Sequence, residues 1–304
     1  MTRTIWLTSY PKSGNTWMRM LLANVFAAGE GPIDINKIPT YAMASDRRNF
    51  DYIVMIDSGL LTHDEIDWLR PRAYAAGAAL FRDRSEDDSD HSDPPLVRFL
   101  KAHDAYTMNP AGKPLLGGAQ GADGAIVIVR DPRDVAPSLA SYRAISVDEA
   151  IDEMNDENAT WGSRTNRQHK QLRQKLCSWS GHIASWLDQK DVPIHLLRYE
   201  DMLRDTAGTL SQVLAFAGIP AVQTAIGQAV AFSDFAELRR QEQEKGFSEG
   251  PVRQDAKFFR RGETGCWRDE LTAEQVARIE SRHGRMMQRL GYELSHLSDI
   301  ARAG

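Results

Sequence analysis

Ser9-Tyr10-Pro11-Lys12-Ser13-Gly14-Asn15-Thr16-Trp17 is the stretch on which the rest of the chain hangs. It follows an apolar run, Thr4 to Ser9, and precedes Trp17, Met20, Leu21 and Val25, spaced as one helix face with Gly29 as its stop. A strand that turns directly into a helix leaves the first N–H groups of the helix unpaired. The positive end of the helix dipole points at the same spot, which makes it an anion site. Gly14 lets the backbone approach an anion closely. Lys12 brings a mobile charge, Ser13 and Thr16 bring hydroxyls, Asn15 a polar side chain and Trp17 a ring face. The same residues also fit an ordinary strand-to-helix turn with a cap. Lysine precedes the glycine and the first glycine is missing, so this is not the Gly-x-x-x-x-Gly-Lys-Ser/Thr loop that works with Mg²⁺.

Further apolar runs follow at Val97–Leu100, Ala125–Val129 and Ile194–Leu197. They are continuous rather than alternating, as in strands buried on both faces of a parallel sheet. Helical spacing recurs near Asp134–Ala144, Trp179–Gln189, Thr209–Ala217 and Ala273–Leu290. Strands that alternate with helices predict an α/β fold, a P-loop-like and mainly parallel sheet flanked by helices on both faces. Two stretches interrupt the pattern. Arg82 to Asp93 is rich in serine and aspartate, and Arg239 to Lys257 is polar with Gly246, Gly250 and Pro251; both are expected to be loops. No repeat or linker splits the 304 residues, so one domain over 1–304 is expected.

A net charge of −5 gives no general attraction to nucleic acid or anionic membrane, so any polyanion must meet a local cluster of donors. The two cysteines, Cys177 and Cys266, stand in no metal-ligand spacing. They suit a reducing compartment, although one disulfide stays open. The N-terminus is too short and mixed for a signal segment, and no stretch is apolar enough to span a bilayer. The cytoplasm is the expected location.

Two more clusters carry chemistry. In Ile126-Val-Ile-Val-Arg130-Asp-Pro-Arg133-Asp134-Val-Ala-Pro137-Ser138, an arginine fork at a strand end precedes a hydroxyl one or two turns into a helix. That pair suits a phosphate monoester. The plainer alternative is an Arg130–Asp131 ion pair with Asp134 as helix cap. Lys101-Ala102-His103 follows another strand, which would project His103 into the crevice where open α/β sheets bind ligands. Neutral imidazole is a natural base near pH 7, while a structural histidine is the alternative. Asp104 could orient it, but adjacent strand positions face apart.

Pro-Lys-Ser-Gly-Asn-Thr-Trp resembles the 5′-phosphosulfate loop of the sulfotransferases that use 3′-phosphoadenosine-5′-phosphosulfate (PAPS). Arg130 and Ser138 are similar to that family's 3′-phosphate motif, and Lys101 and His103 to its base segment, with Ala102 in place of a hydroxyl residue. Tyr199-Glu200-Asp201-Met202 resembles the segment near adenine, and Ser233-Asp234-Phe235 resembles an adenosine contact. Phe258-Phe259-Arg260-Arg261-Gly262-Glu-Thr-Gly265-Cys266-Trp267 resembles the segment that closes over the 3′-phosphate, with Cys266 where aspartate is usual. The resemblance spans Tyr10 to Trp267.

It implies a cytosolic-type enzyme that moves the sulfuryl group of PAPS to a hydroxyl or amine of a small-molecule acceptor and releases 3′,5′-adenosine bisphosphate (PAP), with no metal required. His103 would be the base. Lys12 and Ser13–Thr16 would hold the 5′-phosphate, Lys101 would steady the sulfuryl oxygens, and Trp17, Tyr199, Ser233 and Phe235 would contact adenosine. Arg130, Ser138, Arg260, Arg261 and Gly262 would hold the 3′-phosphate. Variable segments such as Asp148–Lys175, which contains Trp161, would wall the acceptor pocket. Of the family's dimerisation motif only Thr272 is kept, so no oligomeric state follows. An ATP-dependent small-molecule kinase and a non-catalytic adenosine-phosphate-binding module are the rival readings.

Overall fold

The structure is a computed structural model. It describes residues 2–27, 29, 31–38, 43–82, 97–165, 169–220, 222–251, 253 and 256–295. The strands are β1 (Arg3–Ser9), β2 (Val97–Ala102), β3 (Gly124–Val129), β4 (Thr160–Trp161), β5 (Gln174–Lys175) and β6 (Ile194–Arg198). The helices are α1 (Asn15–Ala27), α2 (Arg47–Val54), α3 (His63–Arg82), α4 (Gly118–Gly121), α5 (Pro132–Arg143), α6 (Val147–Asn155) and α7 (Trp179–Asp188). They continue with α8 (Tyr199–Arg204), α9 (Thr206–Ala217), α10 (Gln223–Phe232), α11 (Phe235–Lys245), α12 (Trp267–Glu270) and α13 (Ala273–Arg289).

The four apolar runs form one sheet in the order β2-β1-β3-β6, parallel throughout. Side chains of a strand leave alternately to either face, and here both faces are covered. Ile5, Leu7, Phe99, Ile126 and Ile128 pack with α1, α9 and α10. Trp6, Leu100, Ala102, Val127 and Val129 pack with α5, α6, α7 and α13 on the other side. The α/β class is as the sequence predicts.

Sheet building reverses at β1: β2 lies on one side of it, β3 and β6 on the other. The carboxyl ends of strands around such a switch leave an open crevice. The residues just past these ends are Tyr10, His103, Arg130 and Tyr199. The sheet alone therefore brings the separate motifs to one edge.

One expectation changes. Arg239 to Lys257 is not all loop, since its first part belongs to α11. The helix is mostly polar, and its buried side uses Leu238, Gln241 and Glu242, so its sequence shows no apolar stripe. Asp148 to Lys175 contains the rest of α6, and β4 pairs with β5 in an antiparallel ribbon. Of the serine- and aspartate-rich stretch, Arg82 ends α3 and the remaining residues lie outside those described.

Candidate active site

One cavity at the carboxyl edge of the sheet is walled by Lys12, Gly14, Asn15, Thr16, Trp17, Lys101, His103, Arg130, Ser138, Tyr199, Phe235, Arg260, Arg261 and Gly262. Ser13 and Ser233 do not line it.

The turn between β1 and α1 is tight. Lys12 (φ 68°) and Gly14 (φ 101°) both take left-handed backbone conformations. A Cβ on Gly14 would stand 2.6 Å from Tyr199 Cδ2, so the ring closes on the bare backbone. Asn15 lines the cavity, but its side-chain amide is engaged within the turn. Its Nδ2 donates to the Leu7 carbonyl (2.9 Å) and to Ser9 Oγ (3.3 Å), which ties the turn back to β1 rather than presenting the amide to a ligand. Ser13 Oγ is buried without a hydrogen-bond partner.

Lys12 Nζ lies 3.7 Å from the centre of the Phe258 ring and 4.6 Å from that of Tyr142. Burial pushes its pKa down to about 7, helped by the charges of Arg130 and Lys101. Among the described residues no carboxylate forms an ion pair with this ammonium, although the Glu242 charge acts on it from further off, and an anionic ligand would supply a direct counter-ion.

Arg130 ends β3. It donates to the carbonyls of Lys12 (3.3 Å) and Glu263 (3.0 Å) and stacks 4.4 Å over Tyr199, while its Nε has no partner. The Arg130–Asp131 pair does not form. Asp131 instead caps α5 through Arg133 N and pairs with the Arg133 guanidinium at 2.7 Å. Asp134, the alternative cap, turns elsewhere and accepts from Gly265 N (2.7 Å) and Trp267 N (2.9 Å). Those two bonds fasten the basic C-terminal segment beside Arg130. In that segment Arg260 and Arg261 share Glu270, at 2.6 and 3.1 Å. Gly262 has φ 70°, and a Cβ there would meet Phe235 at 2.3 Å.

Trp17 Nε1 donates to the Ser233 carbonyl (2.9 Å) and its ring meets Tyr199 edge-on at 5.8 Å. Ser233 thus departs from its predicted part as a direct adenosine contact. Its hydroxyl is buried and accepts from Asn24 Nδ2 at 3.0 Å. The Ser-Asp-Phe stretch reaches the cavity through Phe235 and, indirectly, through Trp17.

His103 is buried, with Nδ1 2.8 Å from the Ser9 carbonyl oxygen. A carbonyl only accepts, so Nδ1 carries the proton and Nε2 is left as the acceptor. Burial lowers its pKa to about 3, and the Lys101 charge pushes the same way, so the ring is neutral at neutral pH. Asp104 turns to the opposite side and pairs with Arg70 at 2.7 Å. Lys101 Nζ is 2.6 Å from Glu249, which also pairs with Arg19 at 2.8 Å.

Sequence reasoning missed Glu249 altogether, since it sits in a stretch read as loop. It also missed Tyr142, which stacks on Trp161 at 6.0 Å; Trp161 in turn meets the His103 ring at 6.1 Å. Phe258 was in view only as a neighbour of the basic pair. Two aromatics in front of Arg260 were the available signal.

Residues 2–291 match the sulfotransferase domain. Human sulfotransferase 2B1 is 23% identical over 288 residues, 93% of this chain and 66% of that protein. Mouse sulfotransferase SULT7A1 complexed with PAP superposes with a TM-score of 0.58 at 18% identity, covering 99% of this chain and 89% of that one. Retinol dehydratase in complex with androsterone and PAP gives 0.57 at 18%, covering 93% and 80%. With the domain matched almost from end to end and its phosphate and base segments gathered at one sheet edge, the chain belongs to the sulfotransferase family, PAPS-dependent enzymes that pass a sulfuryl group to an acceptor.

Proposed function

We propose that the cavity binds PAPS and transfers its sulfuryl group to a hydroxyl, or an amine, of a small acceptor, with His103 as base. The observation that carries this is the Nδ1 bond of His103 to Ser9, which leaves Nε2 as a neutral proton acceptor beside Lys12 and Lys101. The donor set fits a phosphorylated nucleotide. Among the described residues Lys12 has no ion-paired anion and the Ser13 hydroxyl and Arg130 Nε have no partner, and Arg130, Arg260, Arg261 and Ser138 line the same cavity.

His103 Nε2 takes the acceptor proton as the acceptor's oxygen or nitrogen attacks sulfur in line. The sulfur–oxygen bond to the 5′-phosphate breaks, and the leaving charge falls on that phosphate. Lys12 and the α1 N-terminus stabilise this charge. Lys101 faces the sulfuryl oxygens. Arg130, Ser138 and Arg260–Gly262 hold the 3′-phosphate and so reject ATP. Trp17, Tyr199 and Phe235 hold the adenosine. The protein contributes position and charge rather than covalent chemistry.

The retinol dehydratase complex holds androsterone, a small apolar molecule. Tyr142 and Trp161 near His103 support an acceptor of similar character here. Free Cys177 and Cys266 support the cytoplasm as its location. Among the described residues no helix is long and apolar enough to cross a membrane.

Calorimetric titration with PAP, against ATP plus Mg²⁺, tests the donor site. Binding of PAP alone supports it. Binding of ATP alone would favour the kinase reading. PAP binding without turnover over a wide acceptor panel would leave a nucleotide-binding module.

A further inference from the structure

The cavity contains a carboxylate that the mechanism above does not use. Glu249 stands in the turn after α11, two residues beyond Phe247, whose ring packs on Phe258 at 4.8 Å. One Glu249 oxygen accepts from Lys101 Nζ at 2.6 Å and from Arg19 Nη1 at 3.0 Å, and the other accepts from the same Arg19 nitrogen at 2.8 Å. The Lys101 and Arg19 side chains are each 6% exposed. Two cations from β2 and α1 therefore meet out of water, where they repel each other strongly.

We propose that Glu249 is a positioning residue for sulfuryl transfer, its carboxylate holding the Lys101 ammonium protonated and aimed at the reacting end of the cavity by bridging it to Arg19. This rests on the reading that Lys101 faces the sulfuryl group. Glu249 from the turn and Arg19 from α1 act on Lys101, whose own charge reaches Lys12 in the β1–α1 turn and His103 at the end of β2. Of these described residues, Glu249 alone is anionic. Without it, a desolvated lysine beside an arginine gives up its proton or swings toward solvent. With it, one ammonium N–H is spent on the carboxylate, and the other two, unpartnered among the described residues, can meet sulfuryl oxygens.

The test is a double-mutant cycle on the full chain, Glu249→Gln, Lys101→Met and both together. PAP production from PAPS would be followed with 2-naphthol and with water alone as acceptors. Lys101→Met should lower kcat ~100-fold and Glu249→Gln ~10-fold, and the double variant should match Lys101→Met within about twofold. PAP affinity should stay within about threefold in Glu249→Gln, which separates positioning from unfolding. Independent losses that multiply in the double variant would overturn the proposal. NMR titration of lysine-labelled protein gives a second readout that needs no acceptor. The Lys101 signal should titrate at lower pH in Glu249→Gln than in wild type, and an unmoved titration would also overturn it. If Lys101→Met leaves kcat unchanged, the sulfuryl role of Lys101 fails, and the titration still decides whether Glu249 holds that charge.

Discussion

The imidazole Nδ1 of His103 lies 2.8 Å from the carbonyl oxygen of Ser9. The bond is a product of sheet register. In the parallel pairing of β1 with β2 the last pair is Thr8 with Ala102, so Ser9 and His103 are the next residues across. The tautomer of His103, the proposed base, is thus fixed by two adjoining strands rather than by a carboxylate, and Asp104, its neighbour in sequence, is committed to Arg70. His103→Ala should abolish turnover while PAP affinity, read by calorimetry, stays within about threefold. Because burial lowers the His103 pKa to about 3, protonation should not silence the base until well below pH 5. A kcat that fell by half near pH 6.5 would show a solvated, ordinary histidine in its place.

The same burial makes the fold acid-sensitive. His103, His182 and His283 are lowered to about 3, 4 and 4, chiefly by desolvation. The unfolded chain takes up protons at these sites below about pH 6.5, whereas the folded chain does so only near pH 4. Their contribution is therefore complete above pH 6.5 and is lost as pH falls toward 4. Urea denaturation should show stability declining through that window by up to about 1.4 kcal/mol per pH unit for each histidine. His182→Asn should flatten the slope. An unchanged slope would mean that the His182 ring is already protonated in the folded protein.

Lys12 should change its protonation when the donor site fills. Burial and the nearby charges of Arg130 and Lys101 hold its pKa at about 7, its ammonium rests against the Phe258 and Tyr142 rings, and an anion beside it raises that value. PAP binding at pH 8 should then take up close to one proton, measurable by calorimetry in buffers of different ionisation enthalpy, and affinity should weaken up to about tenfold per unit as pH rises above 7. Lys12→Met should remove the proton uptake and lower kcat about a hundredfold or more. Proton uptake that persists in Lys12→Met would move the titrating group elsewhere.

How far this site could be read from the sequence follows from which interactions are local. β1, β2 and β3 are buried on both faces, so their apolar runs were plain, whereas the edge strand β6 buries only Leu197 and leaves Leu196 exposed; with the three buried strands came the crevice edge where Lys12, His103 and Arg130 emerge. What the sequence could not show are partners that meet only after folding. Asp134 looks like a helix cap, but its carboxylate fastens the backbone of Gly265 and Trp267. Ser233 looks like a hydroxyl ligand, yet its side chain is spent on Asn24. α11 was hidden because its buried face includes Gln241 and Glu242, with Glu242 accepting from the backbone of Phe258 and Phe259. A polar residue buried for its hydrogen bonds carries no signal in hydrophobic periodicity.

Gly14 is constrained twice, by a backbone at φ 101° and by the Tyr199 ring 2.6 Å from where a Cβ would stand. Gly14→Ala should cost about 1–3 kcal/mol of stability from the backbone and displace Tyr199, with PAP affinity falling at least tenfold. Gly112 is a matched control, since it has φ 70° and nothing within 4 Å of its would-be Cβ. Gly112→Ala carries the backbone strain without the ring clash and should leave PAP affinity unchanged. Equal PAP affinities for the two variants would show that the Tyr199 contact does not shape the site.

Behind His103, Arg70 and Asp104 form a bidentate pair (2.7 and 3.1 Å) with both side chains fully buried. Asp104 also accepts from Lys175 N at 2.9 Å, and Arg70 donates to Tyr74 Oη at 3.0 Å and to the Arg173 carbonyl at 2.9 Å. The pair thereby joins α3, the end of β2 and the β5 strand whose partner, β4, carries Trp161. Asp67, equally buried, lies 3.5 Å from Arg70 Nη1 but is shared with Arg173 and Lys175, so removing Asp104 leaves the guanidinium one longer, shared carboxylate, whereas removing both members of the pair leaves Asp67 to Arg173 and Lys175. Asp104→Leu should therefore destabilise the protein by about 3–5 kcal/mol in urea denaturation, and adding Arg70→Met should recover most of that loss. A single-variant cost below about 1 kcal/mol would mean that Asp67 takes over the guanidinium and that the pair is not what holds β5 against α3.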